Sequence, residues 1–118
     1  MSYTKEQLHS LCKMADSYSD EQLELAIKHH TIPGGRFDVP SLSFKEYLEA
    51  CKKYLDKSSE QVYSLTKNNT ETVDLVFEIC QYILPTMVQQ EGNINEALVV
   101  FIITLFCRKG IMNYIKKM

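Results

Sequence analysis

Three histidines, His9, His29 and His30, are the residues of this sequence best suited to binding a metal or transferring a proton. Adjacent residues on a helix point about 100° apart, so His29 and His30 cannot present both rings from one helical face. His9 reaches His30 only if the tertiary structure brings the two together. We therefore predict solvated histidines, two of them near a helix C-terminus, and no metal centre.

Four cysteines are the second source of chemistry, and none of them forms a Cys-x-x-Cys pair. Cys12, Cys51, Cys80 and Cys107 each lie in an apolar helical setting. Three disulfide pairings are formally open, but the first residues lack the apolar region of a signal peptide, so we predict buried reduced thiols in an intracellular protein. Cysteine–histidine catalysis needs a nucleophile beside an oriented base, and no local segment supplies both. We expect a protein that is not an enzyme and uses no cofactor.

The segment Gly35–Glu46 has the length and the exiting helix of a calcium-binding EF-hand loop. Positions one, three and five of such a loop supply oxygen ligands, but here they are Gly35, Phe37 and Val39. Position six, which is glycine in a functional loop, is Pro40. We therefore predict no calcium binding, whether or not the segment descends from an EF-hand.

The elements that position these residues are predicted to be helices. A capping box needs a short polar N-cap side chain and, three residues later, a side chain that reaches back. Six pairs have this spacing and precede helical apolar periodicity: Thr4/Gln7, Ser19/Gln22, Ser43/Glu46, Ser58/Gln61, Asn68/Glu71 and Asn93/Glu96. Apart from the residues around Phe37-Asp38-Val39, no segment alternates like a half-buried strand. The predicted fold class is all-α, a bundle of six or more helices with an irregular loop at residues 31–42.

Two adjacent segments, Val73–Val88 and Ala97–Cys107, are apolar nearly all round and are separated by the polar joint 89–95. A helix without a polar face must be enclosed by protein or lie in lipid. The second segment is roughly 16 Å long as a helix, whereas a bilayer core needs about 20 residues. We predict a central buried hairpin, bent at Pro85 and interrupted near Gly110, that the first seventy residues enclose. The side chains expected to be most sheltered from water are Phe77, Ile83, Val100 and Ile103.

The composition fits one domain that covers residues 1–118. The net charge of −2 argues against a protein built to bind nucleic acid. Positive charge is nevertheless concentrated at the C-terminus, in Arg108, Lys109, Lys116 and Lys117. These charges could contact anionic lipid or RNA, but solvated side chains that favour a helix C-terminus are the simpler interpretation.

A hairpin surrounded by amphipathic helices often leaves a groove between its outer helices, and such grooves accept amphipathic helices of partners. Tyr47, Tyr54, Val62 and Tyr63 supply surface of the kind found at interface hot spots. The alternative is that these tyrosines only cover the core, with their hydroxyls in water. The sequence leaves both interpretations open.

The run Gly92–Phe106 resembles the first homology region of Bcl-2 family apoptosis regulators, where a Gly-x-Asn-Trp-Gly-Arg stretch caps the central apolar helix. Asn95 or Asn93 fills the asparagine position in this resemblance. The run Tyr47–Tyr54 is similar to the Leu-x-x-x-Gly-Asp helix of the family's own death motif. The resemblance covers residues 43–110 and implies a Bcl-2-like helical bundle.

The sequence departs from these family motifs at three points. Tryptophan is absent, Glu96-Ala97 stands in place of Gly-Arg, and Cys51-Lys52 stands in place of Gly-Asp. The missing arginine normally pairs with an aspartate of the ligand, so the resemblance implies a selective groove or a different contact. Two registers stay open: Asn93 opens the central helix, or helix five is central and helix six is its hairpin partner. The second gives a six-helix domain similar in length to compact viral members of the family.

The resemblance implies intracellular binding without catalysis, by a viral inhibitor of apoptosis. An amphipathic BH3-type helix of a host pro-apoptotic protein would be sequestered in the groove, in the host cytoplasm or at mitochondria. Compact viral members also form homodimers. We expect no transmembrane span, although the basic tail could make peripheral contact with the mitochondrial membrane. The expected groove residues are Tyr47, Leu48, Cys51, Tyr54, Val62, Tyr63, Leu75, Ile79, Asn93 and Asn95.

Two other classes of protein remain open. One is a non-catalytic helical adaptor or dimeric scaffold that modulates host innate signalling without binding a helical ligand. The other is a membrane-associated protein that uses helix six and the basic tail as an anchor. Self-association that ignores peptides would favour the first class, and flotation with liposomes would favour the second.

Overall fold

The computed structural model describes residues 4–31, 44–68, 71–92 and 94–114. Six α-helices and one short 3₁₀ helix occupy these ranges, and no β-strand occurs within them. The all-α prediction is therefore confirmed for the described residues. The helices are α1 Lys5–Asp16, α2 Asp20–Thr31, α3 Phe44–Lys57, α4 Ser59–Asn68, α5 Thr72–Glu91, α6 Glu96–Lys109 and the 3₁₀ helix Ile111–Tyr114. The predicted N-cap Ser43 and most of the calcium-like loop lie outside the described residues, as do the side chains of His29 and His30.

Helices α1 and α2 begin with the capping boxes that the sequence predicts. The Thr4 hydroxyl accepts the Gln7 N–H at 3.1 Å, and the Gln7 side chain accepts the Thr4 N–H at 3.0 Å. Ser19 and Gln22 form the same reciprocal pair at 3.1 and 2.8 Å. Each box satisfies backbone donors that the start of a helix otherwise leaves without partners. Helix α4 begins one residue after the predicted N-cap Ser58.

The starts of α5 and α6 differ from the predicted ones. Asn68 is the last residue of α4, and the N-cap of α5 is Glu71, whose side chain makes no capping hydrogen bond. The N-cap of α6 is Asn95, whose side-chain oxygen accepts the Leu98 N–H at 3.3 Å. The predicted caps at Asn68 and Asn93 are therefore wrong. Spacing alone does not locate a helix start when one short joint contains several residues that can form a cap.

Helix α6 lies at the centre of the fold, where it packs against α1, α2, α3, α5 and the 3₁₀ helix. Every residue from Leu98 to Phe106 is buried. Thr104 is the polar residue of that run, and its hydroxyl donates to the Val100 carbonyl at 2.8 Å, so burial leaves it satisfied. The helix ends at Lys109, before Gly110 with its φ of 97°, which is the interruption that the sequence predicts. None of the helices described here is long and apolar enough to cross a membrane.

Helix α5 is buried on one side only. Its core-facing side chains are Val76, Ile79, Cys80, Ile83, Leu84 and Met87. Glu78, Tyr82 and Pro85 are exposed, and the helix runs through Pro85 without a break in its assignment. The prediction of a segment that is apolar all round therefore holds for α6 and is wrong for α5. Of the residues expected to be sheltered from water, Ile83, Val100 and Ile103 are buried and Phe77 is half-buried.

Arg108 ties the C-terminal end of α6 to the corner between α1 and α2. Its Nη1 donates to an Asp20 carboxylate oxygen at 2.9 Å, and its Nη2 donates to the Asp16 carbonyl at 2.8 Å. The side chain of Arg108 is only 22% exposed. The prediction of a solvated charge is therefore wrong for Arg108, because the fold brings the start of α2 beside it. The same prediction is right for Lys109, which is exposed. The two remaining lysines of the basic tail lie outside the described residues.

Candidate functional site

Helix α3 turns most of its predicted groove residues toward the core. Tyr47, Cys51 and Tyr54 are at most 2% exposed, whereas Leu48 is half-buried. The three buried residues are spaced i, i+4 and i+7, which places them on one helical face. Helix α3 packs against both α5 and α6. Of these four residues, Leu48 is the one that a partner could reach in this conformation.

The hydroxyls of Tyr47 and Tyr54 contact the joint between α5 and α6. The Asn95 N–H donates to the Tyr47 hydroxyl oxygen at 3.1 Å. The Tyr54 hydroxyl lies 3.0 Å from Gln90 Oε1 and 2.8 Å from Glu91 Oε2. Burial raises the pKa of Tyr54, and its hydrogen bond to Glu91 and the charge of that carboxylate raise it further, so the hydroxyl remains a donor. The two tyrosines thus hold α3 against the joint, a role that the sequence did not indicate.

The other predicted groove residues lie at different depths. Val62 of α4 and Ile79 of α5 are fully buried, and Leu75 is partly buried. Tyr63 is 37% exposed, and Asn95 is exposed where it caps α6. The remaining member of the set, the asparagine at position 93, lies outside the described residues. Their role in binding a partner stays a prediction.

An open groove of about 390 Å³ lies between α4 and α5. Its walls are formed by Glu60, Gln61, Ser64, Leu65 and Tyr82. The Tyr82 ring is 48% exposed, one of the largest exposures of an apolar side chain among the described residues. We refer to these five residues as the α4–α5 groove. Its lining comes from α4 and α5, and none of the described residues that the sequence predicts for the groove belongs to it.

The sequence reasoning did not select Tyr82, because it lies within a segment interpreted as buried core. A signal was available in the spacing of its polar neighbours. Glu78, Tyr82, Pro85 and Gln89 follow one another at intervals of three or four residues, and all are exposed. These residues mark one solvent-facing stripe along α5. Leu65 and Gln61 of α4 were likewise missed, since a ten-residue helix gives little periodicity to measure.

The charge beside the α4–α5 groove is negative. Glu60 forms part of its wall, and Glu78 is exposed one turn before Tyr82 on α5. Lys67 lies with its ammonium 4.5 Å from the ring centroid of Tyr63, an aromatic residue of α4 that does not line the groove. A ligand that places positive charge beside its apolar surface would therefore be complementary to this groove.

The four thiols are free, and three of them are fully buried. Burial raises the pKa of Cys12, Cys51 and Cys107 to about 12, and it raises the pKa of Cys80 well above 9.0. Electrostatic interaction with Cys12, Cys107 and Cys51 raises the pKa of Cys80 further. None of these thiols is activated as a nucleophile, since a raised pKa keeps the thiol protonated. Within the described ranges, no group of three metal-ligating side chains could hold a metal ion.

His9 lies between α1 and α5. Its Nε2 is 3.9 Å from an Asp74 carboxylate oxygen, and its ring meets the Phe77 ring edge-on with centroids 5.0 Å apart. This histidine therefore has a packed aromatic neighbour and a nearby carboxylate. The arrangement fits a structural contact between the two helices.

A comparison of the chain with protein-family profiles, curated proteins and solved structures gives no match. The resemblance to Bcl-2 regulators therefore rests on the residues quoted for it.

Proposed function

We propose that this protein is a non-catalytic binding protein that captures an amphipathic helix of a partner in the α4–α5 groove. The observation that carries the proposal is the open groove of about 390 Å³ beside the half-exposed Tyr82 ring. Tyrosine is enriched among the residues that contribute most to interface energies, because it buries a large rigid surface and keeps a polar end.

The dimensions of the groove suit a helical ligand. Helix α4 has ten residues, which is about 15 Å of helix. Ligand anchors at positions i, i+4 and i+7 span about 10 Å and fit within that length. Leu65 and Tyr82 offer apolar contacts, while Gln61 and Ser64 offer hydrogen-bonding groups. Such a mixture of apolar and polar lining is typical of a protein interface.

The charge of the groove defines the ligand further. Glu60 and Glu78 favour a helix that carries lysine or arginine beside its apolar stripe. Bcl-2-type capture would ordinarily pair an arginine of the groove with a ligand aspartate, and this chain has Glu96-Ala97 where that motif has Gly-Arg. The specific form of the proposal is that a BH3-type helix of a host pro-apoptotic protein is sequestered in this groove, which inhibits apoptosis in the host cytoplasm.

Calorimetric titration with a panel of death-motif peptides tests the proposal. We expect at least one peptide to bind with a dissociation constant in the range of tens of micromolar or tighter. Replacing the basic residues of that peptide with glutamine should weaken its binding, since Glu60 and Glu78 would lose their complementary charges. No binding by any peptide of the panel would defeat the proposal.

Two tyrosine variants locate the site. Tyr82→Ala removes a groove wall and should weaken peptide binding by about tenfold or more. Tyr63→Ala tests the alternative site, since Tyr63 is a predicted groove residue that is also exposed but does not line the α4–α5 groove. Leu25→Ala, at a residue of α2 that is 67% exposed, controls for general surface effects. Greater loss from Tyr63→Ala would place the ligand elsewhere on α4. Light scattering with and without peptide separates ligand capture from scaffolding, because a dimeric scaffold would ignore the peptide.

A further inference from the structure

Glu96, at the start of the central helix, is a buried residue whose carboxylate has no partner among the described residues. The residue is only 8% exposed. Within the described part of the chain, no hydrogen-bond donor and no cation lies within bonding distance of its side chain. Every described side-chain oxygen or nitrogen that is sealed from solvent has a partner. The Glu96 carboxylate must therefore open into the cavity that it lines.

That cavity measures about 170 Å³ and lies between α1, α5 and α6. Its apolar walls come from Leu8, Cys80, Leu84 and Pro85, and its polar lining from Lys5, Gln81 and Glu96. A cavity of about 150 Å³ lined with aliphatic side chains is large enough to bind benzene. The present cavity can therefore hold a ligand of about five or six non-hydrogen atoms.

The usual structural reasons for a glutamate at a helix start do not account for this side chain. Asn95 caps α6, so Glu96 occupies the first helical position and not the position from which a capping box reaches back. The Asn95 N–H that such a box would satisfy already donates to the Tyr47 hydroxyl. The helix dipole favours an acid at this position, but it does not account for the largely apolar cavity that the side chain lines.

We infer that this cavity binds an alkylammonium group, with the Glu96 carboxylate as its counter-ion. An ammonium offers three donors, and the Glu96 oxygens and the Gln81 side-chain carbonyl offer acceptors in the same cavity. The apolar walls from α1 and α5 suit a short hydrocarbon stem, which an ammonium group alone would not need. The ligand is thus a free primary alkylamine or the side chain of a lysine on a partner.

Lys5 is the internal competitor for this site. It lines the cavity but is exposed and forms no ion pair with Glu96. Because its like charge repels an incoming ammonium, removing it should tighten binding. The neighbouring Leu8 and Leu84 are packed into the core and are 6% and 5% exposed, so they fix the shape of the cavity.

A titration of the full chain with n-butylammonium, followed by backbone amide NMR, tests this inference. We expect saturable shifts at the first turn of α6 and around Gln81, with a dissociation constant on the order of 1 mM. The neutral isostere n-butanol should bind at least tenfold more weakly. Glu96→Gln keeps the size of the side chain and should weaken n-butylammonium at least tenfold, while Lys5→Gln should tighten it about threefold. The amide spectrum of the unliganded variants checks that they fold.

Two further arms separate the sources of the ligand and the two proposed sites. N-acetyl-lysine methylamide should shift the same amides if a lysine side chain can enter the cavity, and only the free amine will do so if it cannot. Tyr82→Ala should leave n-butylammonium binding unchanged, because Tyr82 belongs to the α4–α5 groove. The inference is overturned by the absence of saturable shifts up to about 50 mM, by equal binding of n-butanol, by unchanged binding to Glu96→Gln, or by binding that occurs only when Lys5 is removed.

Discussion

Helices α5 and α6 are both rich in apolar residues, yet they relate to water in opposite ways. Helix α6 is buried without interruption from Leu98 to Phe106, whereas α5 alternates between a core face and an exposed stripe. The stripe of α5 is marked by Glu78, Tyr82 and Gln89, and no charged residue interrupts α6 between Glu96 and Arg108. A few polar residues at helical spacing thus decide which face of a helix meets solvent, even when its average hydrophobicity is high.

The two helices also differ in how their termini are held. Asn95 caps α6 with its side chain, while Glu71 begins α5 without a side-chain hydrogen bond. At its far end, α6 is tied by Arg108 to the α1–α2 corner. The central helix is therefore fixed by side chains at both ends, whereas α5 is held by side chains at its C-terminal end, where Tyr54 contacts Gln90 and Glu91, and lacks a cap at its start. This difference puts the α4–α5 groove beside the less constrained helix.

The largest expected effect comes from deleting core volume in α6. Ile102→Ala removes a side chain that is 0% exposed and should lower the free energy of unfolding by about 2–5 kcal/mol. Thr86→Ala, on the exposed side of α5, should change it by less than about 0.5 kcal/mol. Urea unfolding followed by far-UV circular dichroism measures both. Equal losses from the two variants would break the distinction between the helices.

An intermediate effect should appear at alkaline pH. In the unfolded chain a thiol ionises near 9.0, whereas burial raises the pKa of Cys107 in α6 to about 12 and that of Cys80 in α5 well above 9.0. The folded state then holds protons that the unfolded state has released, so stability is fully present below pH 9 and falls as pH rises toward the folded pKa. A thiol with a folded pKa of about 12 contributes about 2 kcal/mol of this loss near pH 10.5.

Cysteine variants assign that alkaline loss to the two helices. Cys80→Ala should reduce the loss of stability between pH 8 and about pH 10.5 at least as much as Cys107→Ala, because Cys80 is fully buried and Cys107 only partly. The comparison is made between pH values for each variant, so that a cavity created at neutral pH does not enter it. An alkaline loss that is the same in wild type and both variants would contradict the assignment.

The smallest expected effect concerns the helix starts. Asn95→Ala removes the cap of α6 and should lower the free energy of unfolding by about 1 kcal/mol. Glu71→Ser gives α5 the side-chain cap that it lacks and should raise it by about 0.5 kcal/mol. Thermal and urea unfolding of both variants should therefore shift in opposite directions. A loss of stability from Glu71→Ser would show that the Glu71 side chain stabilises the start of α5 by an interaction other than a capping hydrogen bond.

Local patterns in the sequence predicted much of the fold. The reciprocal pairs Thr4/Gln7 and Ser19/Gln22 depend on residues three apart, and such contacts form as soon as a helix starts. Gly110 ended α6 where its freedom to adopt a positive φ was needed. The cap of α6 was misplaced because its joint contains two asparagines, and the cap of α5 because Asn68 is instead the last residue of α4. The residues next to a candidate cap do not show which candidate begins the helix.

The candidate sites were less accessible from the sequence. The groove prediction drew on Tyr47 and Tyr54, whose hydroxyls contact the α5–α6 joint. Their partners there lie 48 and 36 or more residues away along the chain. The buried carboxylate at Glu96 was treated as part of a cap, and its cavity depends on α1 packing across α5. Contacts between residues so far apart along the chain leave no periodic pattern in a single sequence.

By itself the sequence determined that this chain is helical, where several of its helices start and end, and that one segment near the C-terminus requires enclosure by protein. These properties follow from backbone hydrogen bonding and from apolar spacing over a few turns. The tertiary structure alone decided which helix became the centre, which face of α5 met water, and which carboxylate came to line a cavity. Those outcomes depend on which helices pack together, and packing joins residues that are far apart along the chain.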